Sequence, residues 1–282
     1  MSNRSDVLPS DDEMTELVSL EDREADFHDE WAESHDPNEL DVDAVWTGDG
    51  CPEVQWIEEQ LGDLSGKRIL DLGSGLGEAS VWFALKGAKV TALDISPGML
   101  EVLSQAAANY GVEVDTVVGS ASDLSMFDDD TFDIVYGANV LHHIDIAECI
   151  GHAHRVLVPG GKAAFWDPVK YNPVIEVYRR MAMGVRTEDE HPITRKDLKT
   201  MQAQFGNVNA QGFWLTGLLI FLRFFVVDRI HPSADRYWKL VIERQEKHGR
   251  FLRATQAIDR ALLKAIPPLR WICWNIAVVM TK

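Results

Sequence analysis

Arg68-Ile69-Leu70-Asp71-Leu72-Gly73-Ser74-Gly75-Leu76-Gly77 is followed by Ala88-Lys89-Val90-Thr91-Ala92-Leu93-Asp94. This pair of segments decides the fold. A short apolar run enters a turn rich in glycine, which tolerates strained backbone angles and lets a ligand sit against the main chain. Glu78 to Lys86 reads as a helix, and Lys89 to Leu93 as a second strand ending in an acid. The pattern predicts a βαβ unit whose carboxyl edge takes an adenosine-type ligand, with the acid on ribose hydroxyls.

The glycine spacing narrows the ligand. A dinucleotide fingerprint places its third small residue at position 78, which here is Glu78. The observed spacing is Gly73-x-Gly75-x-Gly77. No Gly-Lys-Ser/Thr follows, so a phosphate-cradling P-loop is excluded.

Punctuation continues the alternation. Ser96 is a good N-cap, Pro97 suits the first helical position, and Gly111 ends the helix after Tyr110. Val112–Val118, Phe132–Tyr136 and Lys162–Trp166 read as strands three to five. A helix over 145–157 precedes the turn Pro159-Gly160-Gly161. Thr194 opens a helix to about 204, Val208–Phe213 is strand six, and Ile272–Met280 is the last strand. The expected fold is α/β: a doubly wound, mostly parallel seven-stranded sheet with helices on both faces.

Several ordered motifs sit on this frame. They are the glycine loop with Asp94, Asp123-Leu124-x-x-Phe127 with Phe132-Asp133-Ile134-Val135, Leu141-His142-His143, and Leu157-x-Pro159-Gly160-Gly161. Together they resemble the class I, Rossmann-like S-adenosylmethionine (SAM)-dependent methyltransferases, tightly over about 65–166 and loosely over 194–213. The resemblance implies SAM as methyl donor and S-adenosylhomocysteine as product. It implies that Asp71 orients the loop and the amino end of SAM, and that Gly73, Ser74, Gly75 and Gly77 approach its methionine portion. Asp94 and Ile95 are expected at the ribose, Ser120 and Ala121 at the adenine, and Asn139 near the methionine. Many relatives have Gly-Asp-Ala where this chain has Gly119-Ser120-Ala121, so a serine replaces a carboxylate at the adenine.

Methyl transfer needs alignment and exclusion of water, and a base only when the acceptor loses a proton. His142 and His143, at the edge of strand four, stand where such a base would sit; the plainer reading is one packed and one solvated ring. Asp167-Pro168, Asn172-Pro173, Tyr178-Arg179-Arg180 and Arg186-Thr187-Glu188-Asp189-Glu190-His191-Pro192 occupy the acceptor side. That stretch reads as a lid presenting His191 or Arg186, or as a salt-bridged surface loop. No metal site is expected.

The net charge is −18, unevenly spread. Residues 1–50 hold 17 acids against 2 bases, and residues 213–282 hold 12 bases against 5 acids. Residues 1–50 therefore read as an acidic, partly disordered leader, irregular to residue 22, with a short helix over 23–34 that puts Phe27 and Trp31 on one face. The core is assigned to 51–213, an insertion to 214–270 and the last strand to 271–282. The charge argues against nucleic acid as a partner. Three scattered cysteines without Cys-x-x-Cys fit a reducing cytoplasm. No signal-peptide pattern and no 18-residue apolar run is found.

The insertion opens with Trp214–Val227, apolar nearly all round, followed by Arg229, Arg236, Lys239 and further basic residues with Trp238. It reads as a helical cap, a homodimer contact, or a peripheral contact with the inner surface of an anionic membrane. Each would cover an apolar acceptor: a lipid, quinone or secondary metabolite. Two other classes stay open, a non-catalytic SAM-binding scaffold and a nicotinamide-dependent oxidoreductase.

Overall fold

The computed structural model describes residues 11–181 and 191–282, with side chains described from Asp22 onward. Its centre is a seven-stranded sheet in the order β3-β2-β1-β4-β5-β7-β6. The strands are β1 Arg68–Leu72, β2 Lys89–Asp94, β3 Val114–Val118, β4 Phe132–Ala138, β5 Leu157–Pro168, β6 Asn207–Phe213 and β7 Asn275–Thr281. The first five are parallel, and β7 runs antiparallel between β5 and β6. The expected fold class is therefore the observed one. The chain order reverses between β1 and β4, where Leu72 pairs with Gly137, so a crevice opens at their carboxyl ends.

The local stops are where the residues put them. Helix α5, Pro97–Tyr110, has Ser96 accepting from the Met99 amide and ends at left-handed Gly111. Helix α8, Arg195–Phe205, opens on a full Thr194/Asp197 capping box. Strand β5 differs from expectation. It starts at Leu157, and Pro159-Gly160-Gly161 is an irregularity within it, between the pairs Phe132–Leu157 and Ile134–Lys162.

Apolar residues fill both faces of the sheet. On one, Phe165, Ile276 and Val278 meet Cys149 and Ile150 of α6 (Ile146–Val156) and Leu198 and Met201 of α8. On the other, Ile69, Tyr136, Ala164 and Val279 meet Val42 and Trp46 of α2 (Val42–Thr47). Ile57 of α3 (Pro52–Leu61) and Phe83 of α4 (Glu78–Leu85) join that face.

The acidic N-terminal segment is thus part of the body. Helix α1 runs Asp11–Glu33, so residues 11–22 are helical, against expectation, and the short helix expected over 23–34 is the end of a longer one. Residues 1–10 lie outside the described residues. Ala32 packs with Leu76 and Met99, and Trp46 stacks on Trp82 at 5.5 Å between ring centroids.

The insertion is helical. It contains α9 (Leu219–Val226), α10 (Tyr237–Glu243) and α11 (Gln245–Ala265). With α7 (Pro173–Met181) it forms its own core of Ile175, Trp214, Ile220, Phe221, Phe224, Tyr237 and Leu252. Trp214 stands at φ 64°, so the chain turns there, and the apolar run gives a helix only from Leu219. Among the described residues no helix is long and apolar enough to cross a membrane.

Trp46 is 2% exposed and touches three other aromatic rings. Trp46→Ala should cost about 3–5 kcal/mol. A urea titration followed by circular dichroism checks this; an unchanged midpoint would mean that the segment before residue 50 is not part of the folded core.

Candidate functional site

The crevice is built on three left-handed glycines, Gly73 (φ 61°), Gly75 (φ 53°) and Gly77 (φ 96°). A methyl group at Gly77 would lie 2.4 Å from Leu103 Cγ of α5, and one at Gly73 would lie 2.8 Å from Val140 beyond β4. Gly77 therefore does the close-packing work that a dinucleotide fingerprint gives to position 78. Gly75 is different: nothing lies within 4 Å of where its Cβ would be. It faces open space.

Asp94, at the end of β2, is 7% exposed. Its Oδ2 accepts the Gly75 amide at 2.8 Å and its Oδ1 the Ser96 amide at 3.0 Å. Burial pushes its carboxyl up, against the pull of those two amides. Each oxygen keeps acceptor capacity for a ribose hydroxyl, so the expected role is compatible with a main-chain one. Asp71, 1% exposed, accepts the Ser80 hydroxyl of α4 at 2.6 Å, and burial pushes it up to about 7. It holds the strand to the helix across the glycine loop.

Three features fit the loop to SAM. The buried Ser74 hydroxyl has no hydrogen-bond partner among the described residues, and Gly75 is open. Helix α4 starts on Gly77 with no side-chain cap, leaving amide donors for a carboxylate. The remaining expected cofactor residues line the same edge. Ile95 and Ser120 are half-buried, and Ala121 is buried. Ser120 Oγ accepts the Ser122 amide, and Asn139 is exposed at φ 53° beside the end of β5. Among the described residues, no group of three His, Cys, Asp or Glu side chains is arranged to hold a metal ion.

The three expected catalytic histidines come together. His142 and His143 occupy one 3-10 turn, Leu141–His143, with ring centroids 4.1 Å apart. The His191 amide donates to the His142 carbonyl at 2.6 Å, while the His191 residue is exposed. Asp167, 1% exposed, accepts from the His142 amide at 3.2 Å, and its Oδ1 lies 2.7 Å from His142 Nδ1. His142 is thus a buried anchor, and Asp167 is no part of a surface salt-bridge loop. Asn172, also buried, caps α7 by accepting the Val174 and Ile175 amides. Arg186 to Glu190 lie outside the described residues.

Residues that the sequence reading missed close the crevice. Asp29 of α1 accepts the Ser96 hydroxyl and the Gly98 amide. Glu24 of α1 meets His143 and His28. Arg236 lies over the Trp31 ring at 4.3 Å, tying the insertion to α1. The i, i+4 pair Phe27/Trp31 was the signal available. At the far side Glu53, 2% exposed, accepts from Asn275 Nδ2 at 2.6 Å, and burial pushes it from 4.5 to about 7.

Comparison with known proteins comes to the same place. Residues 70–165 match a family model described as methyltransferase domain. The ubiquinone biosynthesis O-methyltransferase of Pseudomonas syringae pathovar tomato is 32% identical over 162 residues, covering 57% of this chain and 64% of that protein. The protein of that name from Azotobacter vinelandii is 37% identical over 121 residues, covering 43% and 51%. This chain thus spans less than two thirds of either relative. A solved SAM-dependent methyltransferase from Mesorhizobium loti shares the fold, with TM-score 0.52, 19% identity and coverage of 83% and 99%. Haemonchus contortus phosphoethanolamine N-methyltransferase 2, solved with SAM, shares it with TM-score 0.52, 18% identity and coverage of 81% and 52%.

Glu53 gives a pH prediction. Its folded value lies above its ordinary one, so the folded state holds a proton that the unfolded state releases between about pH 4.5 and 7. Its contribution is full below 4.5 and is lost as pH rises through 7. Asp71 acts in the same direction. Melting temperature should therefore fall from pH 5 to pH 8, and Glu53→Gln should flatten that fall. An equal slope in the variant would place the proton elsewhere.

Proposed function

We propose that this chain is a SAM-dependent methyltransferase for a small lipophilic, quinone-type acceptor, on the premise that residues 70–165 match the methyltransferase-domain model and form part of a seven-stranded sheet of order β3-β2-β1-β4-β5-β7-β6. The observation that carries the reading is the glycine loop at the β1/β4 crevice: open at Gly75, with the buried Ser74 hydroxyl unpartnered and Asp94 beneath. Asp94, Ser74, Gly75 and Ser120 would hold the cofactor, which supplies an electrophilic methyl group on a sulfonium. The chain's own work is to align the acceptor and exclude water. His143, half-buried beside the crevice, would take a proton from an acceptor hydroxyl.

The quinone-type acceptor is supported by the names of the two curated relatives and by an apolar surface beside the site. Val174 and Val177 of α7 are 53% and 57% exposed. Leu219, Leu222, Phe225, Val226 and Val227, on and just past α9, are 44–61% exposed. The opposite face of α9 is buried through Ile220, Phe221 and Phe224. Exposed Arg180, Arg223 and Arg229 border the surface. Apolar side chains inside a basic border, on a chain of net charge −18, suit peripheral contact with an anionic bilayer in which such an acceptor dissolves.

Transfer of tritium from methyl-labelled SAM into the organic extract of cells tests the activity. SAM binding without any transfer would move the reading to a non-catalytic SAM-binding protein. Asp94→Ala should weaken SAM binding in calorimetry by about 10–100-fold, the value of a charged hydrogen bond of roughly 1.5–3 kcal/mol. Unchanged binding would refute this placement of the ribose. In flotation with phosphatidylglycerol vesicles, the chain should rise, and a Leu222→Glu/Phe225→Glu/Val226→Glu variant should stay below. If neither rises, the membrane route is wrong while the methyl-transfer reading stands.

A further inference from the structure

The matched family region begins at residue 70, yet one wall of the crevice comes from α1. Ala32 and Trp31 pack on Leu76 of the glycine loop and on Met99. Asp29 seizes the start of α5 so closely that a methyl group at Gly98 would sit 2.9 Å from its Oδ1. Lys239 Nζ reaches His35 at 3.5 Å and Arg236 covers Trp31, so α10 and its approach hold the other side. Helix α1 is seated from both sides, and what it presents to the site is fixed.

It presents Glu24, which is 9% exposed although it is a carboxylate. Burying a carboxylate costs several kcal/mol unless it is paired. Glu24 Oε1 lies 3.3 Å from His143 Nδ1, and its Oε2 lies 3.5 Å from His28 Nε2. Among the described residues, the groups facing His143 are Glu24 and His28 from α1, and His142 from its own turn with Asp167 of β5 behind it. The turn itself is pinned by Asp167 on His142 and by the His143 amide on the Val140 carbonyl. With the backbone held, what remains to be set in His143 is its ring orientation and tautomer, and a carboxylate against Nδ1 favours the proton there.

We infer that Glu24 is the positioning residue for His143: it keeps the Nδ1 proton and so makes Nε2 the basic atom that accepts the acceptor's proton. The inference rests on the methyltransferase reading and assigns a role to a residue outside the matched domain. The balance is simple. The acceptor's O–H bond breaks, its proton goes to Nε2, and the oxygen's electron pair forms the bond to the methyl carbon, whose bond to sulfur returns its electrons to the sulfur. Imidazole becomes imidazolium, and Glu24 stabilises that charge without itself taking the proton.

The test needs no acceptor. The full chain with 13C-labelled histidine is titrated by NMR, with His143→Gln identifying the His143 signal. Glu24→Gln keeps the shape and a hydrogen-bonding oxygen but removes the charge. The His143 midpoint should fall by about one pH unit, a tenfold change in its protonation constant, because an opposite charge within 4–6 Å favours the charged ring. A simple latch on α1 would leave the midpoint where it was, and an unmoved midpoint overturns the inference. Calorimetry with SAM runs in parallel. SAM binding by wild type and Glu24→Gln alike leaves the titration to decide Glu24 alone. Absence of binding in wild type overturns the methyl-transfer reading, whatever the titration shows.

Discussion

One carboxylate holds the site together. Asp94 takes the Gly75 amide on one oxygen and the Ser96 amide on the other, joining the glycine loop, the end of β2 and the start of α5. Ser96 then caps α5 at Met99 and donates to Asp29 of α1. Loop, strand and two helices are registered through Asp94 and Ser96. Without Asp94 the Gly75 amide would lose its acceptor, and the open face of Gly75 would be less firmly held relative to the rest of the crevice.

The same region concentrates acids. Asp71 and Glu53 are pushed up to about 7, and Glu78 and Asp94 are also pushed up, in each case chiefly by burial. A ligand carrying positive charge, as SAM does on its sulfonium and ammonium, would favour the ionised form of these carboxyls.

Much of this was legible in the sequence because the deciding signals are local. The glycine loop, Asp94, the Ser96-Pro97 start, the Gly111 stop and the Thr194 cap each act within a few residues. The seven-stranded, mostly parallel sheet followed from alternation; its strand order did not. What was not legible depended on contacts distant in sequence. Glu24 and Asp29 lie in a block whose composition reads as solvated tail, and only their meeting with His143 and Ser96 gives them a role. The segment Trp214–Val227 reads as one apolar helix, but tertiary packing splits it: Trp214 and Ile220 go into the cap core, and Leu222 and Val226 stay outside. Pro159-Gly160-Gly161 reads as a turn because its residues suit one, yet pairing with β4 on both sides absorbs it as an irregularity in β5.

The division of labour follows the chain. The matched domain, 70–165, contains the glycine loop, Asp94 and His143, the residues proposed for the methyl donor and the point of transfer. Outside that domain, α1 from the acidic segment reaches His143, while α7, after β5, and α9 to α11, between β6 and β7, share a core of their own. These pieces contact one another as well as the domain, through Arg236 on Trp31 and Tyr178 on Phe221. A change in acceptor would therefore be accommodated by altering these added helices, with the sheet and glycine loop left as they are. The apolar outer face of α7 and α9 belongs to this added layer. If each of its seven exposed side chains loses even part of its water on contact, the gain is roughly 1 kcal/mol apiece. That total is large enough to hold the acceptor side against a bilayer, and small enough to be reversible.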